Sequence, residues 1–306
     1  MATARIHLGP FAFRPADLPV LGGLAMVAAA AAAAGGRVAD GPWLAARALA
    51  VGAAYLGAVW LEPRLPLRRA RPALHLAAVA LGLGWLFGAV APLQLLLHGR
   101  WLDQGVLDLE QAALGAQPAL WLQRFVRPWL TEWLMFCYVI YLALYPALGA
   151  LLWDRGGEAA LEHYLLALGL ANVACDLGFV LCPVAGPVPF MGDQFTVPLR
   201  GWGWTWLAEL MRSQAHYVGG TIPSPHCAAA TVMWGAAWRA HRPAFWTLSP
   251  VIVSLYLSTV YGRFHYLTDV AAGLAVALAA LAAAPRLLAA WERLASRCGA
   301  IAGALT

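Results

Sequence analysis

Apolar residues in this chain come in long unbroken runs, not in the alternating or amphipathic patterns of a soluble fold. Eight stretches match the thickness of a hydrocarbon core: Leu18 to Gly35, Trp43 to Leu61, Ala73 to Leu97, Trp129 to Trp153, Leu161 to Cys182, Ala228 to Ala240, Phe245 to Tyr261 and Tyr266 to Ala284. The sixth is short, and reaches the roughly 17 to 25 residues of a span only when extended back through His226 and on to His241. A segment in lipid must satisfy its own backbone hydrogen bonds. The runs therefore predict helices, and an all-α, polytopic transmembrane helix bundle of about eight spans.

The polar positions between the runs add detail. Two long connections, Gly99 to Pro128 and Pro183 to Ser224, carry amphipathic pieces and tryptophans such as Trp202, Trp204 and Trp206, which fit helices lying at headgroup level and roofing a site. The alanine run Ala28 to Ala34 is a good helix former with no functional reading. From Pro285 onward, Arg286, Arg293 and Arg297 stand among leucines and Trp291, the pattern of an amphipathic helix on a membrane surface. The chain divides into two amino-terminal transmembrane helices (1–72), a six-helix core (73–284) and a cytoplasmic amphipathic tail (285–306).

Composition agrees with this picture. The chain is 62% hydrophobic and 11% charged, against about 25% charged in soluble domains. Its net charge of +5 comes entirely from arginine, because lysine is absent. The arginines are scattered over the loops, so they fix topology and do not form a nucleic-acid face. With the amino terminus in the cytoplasm, twelve fall on inner segments and seven on outer ones, Arg47 lying within the second span. The cluster Arg64, Arg68, Arg69 and Arg71 weighs most in this count. Both termini are then cytoplasmic. The five cysteines show no CxxC pair, so neither disulfides nor a zinc site is expected. The amino terminus has no convincing small-residue cleavage site and is expected to stay on the mature protein.

Two short segments carry the candidate chemistry. Ile222-Pro223-Ser224-Pro225-His226 puts a serine and a histidine at the start of the sixth span, where unpaired N–H groups and the helix dipole favour an anion. The plainer reading is that Ser224 caps the helix and His226 sits in the interface. Tyr261-Gly262-Arg263-Phe264-His265-Tyr266-Leu267-Thr268-Asp269 opens the eighth span, with His265 and Asp269 one helical turn apart. A carboxylate there can fix the imidazole tautomer and leave the other nitrogen as base or nucleophile; the plainer reading is an interfacial ion pair. The sixth span runs inward and the seventh returns, which delivers His226 and His265 to the same face. Together with Arg263 they offer a nucleophile, a proton donor and a positive charge for phosphoryl transfer.

These segments resemble the second and third signature motifs of the type 2 phosphatidic acid phosphatase superfamily, which shares its core with vanadium haloperoxidases. The resemblance covers about the last two thirds of the chain. It implies that His265 attacks phosphorus, Asp269 orients it, His226 protonates the leaving alkoxide, and Ser224 and Arg263 bind phosphate. Two positions depart from the family. Thr259 stands where an arginine usually precedes the nucleophile, and Cys182 to Val188 carries no basic residue where the first motif would; Arg200 and Arg212 are candidates to supply that charge. The departures, with His265-Tyr266-x-x-Asp269-Val270, resemble the branch of inositol phosphorylceramide and sphingomyelin synthases, which move a phospho-headgroup between lipids. The segment Asp108 to Trp121, leading into Pro128 to Glu132, also resembles a bacterial subgroup of the family.

The expectation is a plasma-membrane enzyme, with no metal or other cofactor, that hydrolyses a phosphorylated lipid at the outer face. The alternatives are headgroup transfer to a lipid or polyol acceptor, and a non-enzymatic lipid transporter or binder. Asn172 and Asp176, four apart in the fifth span, are either a helix contact or a substrate contact. His75, Glu132, Tyr138 and Tyr141 read as packing or interface positions.

Overall fold

A computed structural model describes residues 4–214 and 217–304. The chain opens with an antiparallel hairpin, β1 (Ile6–Leu8) and β2 (Phe11–Phe13), that the apolar pattern does not announce. Helices follow as α1 (Asp17–Ala34), α2 (Gly41–Leu61), α3 (Ala70–Ala89), α4 (Asp103–Leu114) and α5 (Pro118–Leu122). Then come α6 (Pro128–Leu181), α7 (Pro187–Met191), α8 (Gly203–Gln214), α9 (Pro225–Ala240), α10 (Arg242–Tyr261) and α11 (Leu267–Ala304). Among the described residues, α1, α2, α3, α6, α10 and α11 are long and apolar enough to cross a bilayer, so the molecule is an all-α multi-pass membrane protein.

α6 reverses direction partway along its length. Gly157, at φ 70°, breaks the helix, and Tyr164 donates from its hydroxyl to Tyr145 O at 2.9 Å. Residues that far apart on a straight helix would be separated by about 28 Å, so the halves run back on one another. α9 is short for a different reason. It packs between α6, α10 and α11, its residues from Cys227 to Met233 are buried, and it meets little lipid. His241 separates α9 from α10, and its Nδ1 accepts from Ala244 N at 3.1 Å. α3 ends at Ala89, not Leu97, because Pro92 opens a short 3-10 turn there.

The tail differs from its expected form. Pro285 removes one backbone donor, yet α11 continues through it, and Arg286 Nη1 donates to Ala282 O at 2.9 Å. Beyond it, buried Trp291 donates from Nε1 to Ala4 O at 2.9 Å. The segment is therefore an extension of the last helix docked on the amino-terminal hairpin, not a separate surface helix.

At that same end of the bundle lies a closed polar network. Arg14, 3% exposed, pairs with Glu62 at 2.7 Å, Glu158 at 2.8 Å and Glu162 at 3.1 Å. His75 Nε2 lies 2.6 Å from Glu162, and Asp17 accepts from Tyr55 OH and Arg14 N, both at 2.7 Å. Four arms of the chain meet there: the hairpin, the end of α2, the start of α3 and the turn of α6. His75 thus packs by charge and not by apolar contact.

Candidate active site

The opposite end of the bundle joins the two histidine segments. Pro225 suits the first position of α9, and Ser224 before it is buried, its Oγ accepting from Cys227 N at 3.3 Å. At the end of α10, Gly262 N donates to Ser258 O at 2.8 Å, the chain reverses through Arg263 at φ 62°, and Phe264 N and His265 N both donate to Thr259 O, at 2.9 and 3.0 Å. Ser224 N donates to Asp269 O at 2.9 Å, which sets the starts of α9 and α11 side by side. Gly273 permits this approach, since a Cβ there would come within 2.5 Å of Ser224 O.

The His265 ring is flanked at both nitrogens. Nδ1 lies 3.3 Å from Asp269 Oδ2, and Nε2 lies 3.3 Å from His226 Nδ1. Tyr266 N donates to the same Asp269 oxygen at 2.9 Å. A carboxylate only accepts, so the fitting tautomer carries its proton on Nδ1 and leaves a lone pair on Nε2. Burial pulls the His265 imidazole down to about 4, which keeps the ring neutral at ordinary pH.

Both histidines line a cavity of about 800 Å³. Leu81, Gly84 and Phe87 of α3 form one wall, and Tyr138, Tyr141, Tyr145 and Asn172 of α6 another. That volume is at the upper end of ligand-sized pockets, and the lining is mostly apolar. Asn172 faces this space, its Nδ2 donating to Leu168 O at 2.8 Å, whereas Asp176 is buried and does not line it.

A column of flat groups backs the histidine pair. The Arg212 guanidinium lies 4.2 Å over the Phe264 ring, Phe264 stacks on Tyr138 at 4.0 Å and 4°, and Tyr138 stacks on His226 at 4.7 Å and 25°. Tyr138 and Tyr141 are thus cavity walls against His226. Their signal in the sequence is a tyrosine stripe, Tyr138, Tyr141 and Tyr145, on one face of a span.

The cations are unevenly placed. Arg263 and Arg212 both line the cavity, and Arg200 is exposed outside it. Arg212 Nη2 donates to Gly262 O at 2.6 Å, and Arg263 donates to Val197 O while covering the Phe195 ring. Burial lowers both guanidiniums from their ordinary value, and Arg263 is lowered further by Arg212 beside it. Two like charges held together at a half-buried mouth are a favourable setting for an anion. Ser224 Oγ, by contrast, does not line the cavity, and Thr259 Oγ1 is directed to Tyr256 O at 2.8 Å and the Cys227 thiol.

Arg212 reaches the site because α8 is pinned by Glu132. That carboxylate accepts from Trp202 N and Trp204 N, both at 2.6 Å, and from Thr205 N at 3.1 Å and Thr205 Oγ1 at 2.8 Å. A carboxylate at a helix start satisfies orphan N–H groups and the helix dipole together. Glu132 therefore anchors the roof, a role its place on an apolar span does not disclose.

Among known proteins, the family model described as the PAP2 superfamily matches residues 104–283, from within α4 to within α11. No curated protein and no solved structure matches the chain.

Proposed function

Since the chain belongs to the PAP2 superfamily, the type 2 phosphatidic acid phosphatases, and so is an enzyme of phosphatase or phosphotransferase type, we propose that it cleaves a phosphorylated lipid through a phosphohistidine at His265. The observation that carries this reading is the His265 ring, with Asp269 at one nitrogen and His226 at the other, on the wall of a lipid-sized apolar cavity.

In the first half-reaction the Nε2 lone pair attacks phosphorus, a P–N bond forms, and the bond from phosphorus to the lipid oxygen breaks. His226 delivers the proton that this oxygen needs, its basicity raised by the anion bound beside it. Asp269 accepts the Nδ1–H bond and stabilises the ring as it becomes cationic. In the second half-reaction His226 takes a proton from water as the water oxygen attacks phosphorus, the P–N bond breaks with its electron pair returning to His265 Nε2, and phosphate is released. Arg212, Arg263 and the start of α9 supply charge to the equatorial oxygens; the reading requires no metal.

The arginine asymmetry between loops supports placing the site at the outer face of a plasma membrane, with cytoplasmic termini. Headgroup transfer, as in the inositol phosphorylceramide and sphingomyelin synthases, is the second reading. Two cavity hydroxyls favour it: Tyr145 OH and Tyr217 OH are buried and make no hydrogen bond among the described residues, which leaves them free to pair with a hydroxyl-bearing acceptor.

The test is phosphate release by the purified protein from a panel of lipid phosphates, with and without polyol or ceramide acceptors, beside His265→Ala. Acceptor-independent release lost in the variant supports hydrolysis. Acceptor-dependent lipid product without free phosphate moves the assignment to transfer. Lipid binding without turnover in either case leaves a non-enzymatic binder or transporter.

A further inference from the structure

Asp103 is fully buried at the first turn of α4, in a segment otherwise read as a roof. Its Oδ2 accepts from Ala185 N at 2.8 Å, and its Oδ1 accepts from Gly186 N and from the Tyr266 hydroxyl, both at 2.9 Å. Tyr266 follows His265 directly, and its own N–H holds the Asp269 oxygen that faces His265. The carboxylate thus grips the residue next to the nucleophile and, on its other side, the loop that walls the cavity.

A second acid on α4 does the same one step along the chain. Glu110, seven residues on and so on the same helix face, accepts from Thr268 N at 2.8 Å and Thr268 Oγ1 at 3.1 Å. Leu102 N donates to Pro183 O at 2.8 Å, which ties the start of α4 to the same loop. Through these two carboxylates α4 holds the segment from Tyr266 to Thr268, which lies between nucleophile and orienting acid.

Charge makes the choice of residue informative. Two consecutive backbone N–H groups beside a glycine at φ 102° form a ready seat for an anion. Here an internal carboxylate fills it, so those amides are spent on positioning and the substrate phosphate is left to Arg212 and Arg263.

We propose that Asp103 is a positioning residue for the His265 turn, acting through Tyr266, in the reaction set out above, on which this inference rests. Displacement of a reacting group by about 1 Å costs on the order of 100-fold in rate even when the altered residue is remote from the chemistry. The expected signature is therefore a loss in kcat with little change in KM.

The experiment uses the whole chain in detergent with three single variants, and His265→Ala as the spectral reference. Tyr266→Phe deletes one hydroxyl and leaves both amide donors on Asp103; Asp103→Asn turns one acceptor into a donor facing Ala185 N–H. Asp17→Asn is the control, a carboxylate also deeply buried and accepting two hydrogen bonds at the other end of the bundle. Tyr266→Phe and Asp103→Asn are expected to lower kcat by about 10- to 100-fold with KM within about three-fold, while Asp17→Asn lowers thermal stability and leaves kcat in place. The same samples, labelled at histidine with nitrogen-15, are read by NMR for the low-field Nδ1–H signal of His265, identified by its loss in His265→Ala. That signal should shift upfield or broaden in the two site variants only. Unchanged kcat and an unchanged signal in Tyr266→Phe, or a kcat loss shared equally by Asp17→Asn, overturn the proposal. If the wild-type protein turns over no lipid phosphate, the reaction proposed above fails, and the NMR signal alone decides the role of Asp103.

Discussion

The molecule buries charge at both ends, and the two ends handle it in opposite ways. Around Arg14 the acids and bases pair with one another across four arms of the chain, and the space left among them is about 10 Å³, too little to admit a substrate. Around His265 the groups face open space: Arg263 leans on a carbonyl and a ring, Arg212 on a carbonyl, the Phe264 ring and exposed Glu209 at 3.4 Å, two tyrosine hydroxyls are unmet, and about 800 Å³ opens beside them. Buried ionisable groups alone therefore do not mark an active site. Arg14 Nε and His75 Nε2 also lack a hydrogen bond among the described residues, so what marks the site here is unmet polar groups beside room for a partner.

The sharpest way to separate the ends is to break each in turn. Removal of the proposed nucleophile in His265→Ala is expected to cut turnover by a factor on the order of 10³ to 10⁶ while thermal unfolding changes little, measured by product release and by a melting curve on one preparation. Arg14→Ala should do the reverse. It strips the common partner from two buried acids, Glu62 and Glu162, and from half-buried Glu158, and breaking such a buried pair costs about 3–5 kcal/mol, visible as a lower melting temperature with site activity kept at low temperature.

Within the site, Arg212→Gln should lower kcat/KM by about 100-fold, the scale of losing one preorganised donor to a developing charge, and Arg200→Gln should leave it unchanged. Comparable losses in both would remove Arg212 from the phosphate seat. The smallest effect expected is with pH. In the unfolded chain a histidine takes up its proton near 6.5, whereas buried His265 does so only near 4. Its contribution to stability is thus complete above about 6.5 and declines as pH falls toward 4. Its nucleophilic form persists over the same window, so a pH–rate profile should show no step assignable to this residue near 6.5. A step there that coincides with protonation of His265, followed through its nitrogen-15 NMR signal, would contradict the burial argument.

Much of this was legible in the sequence, and the limits have physical causes. Apolar run length marked the helices, because bilayer thickness dictates it. The histidine segments stood out because helix starts and one-turn spacings are local features. Asp103, Glu110 and Glu132 were not legible as anchors, since their partners lie 70 or more residues away. Arg14 was counted toward topology alone, although its partners are 48 to 148 residues distant. The hydroxyl of Ser224 and the side chain of Thr259 are turned away from the cavity, a matter of rotamer and packing that no motif spells out.

The last helix has a consequence of its own. α11 carries Asp269 on its first turn and Trp291 about 33 Å farther along, and each is fastened to a different part of the chain at a different end of the bundle. A helix fixed at two distant points works as a gauge. One inserted residue would lengthen it by about 1.5 Å and twist one anchor by about 100° against the other, so the number of residues between them is itself a specification, metering the thickness of the protein to the reach of the carboxylate beside His265.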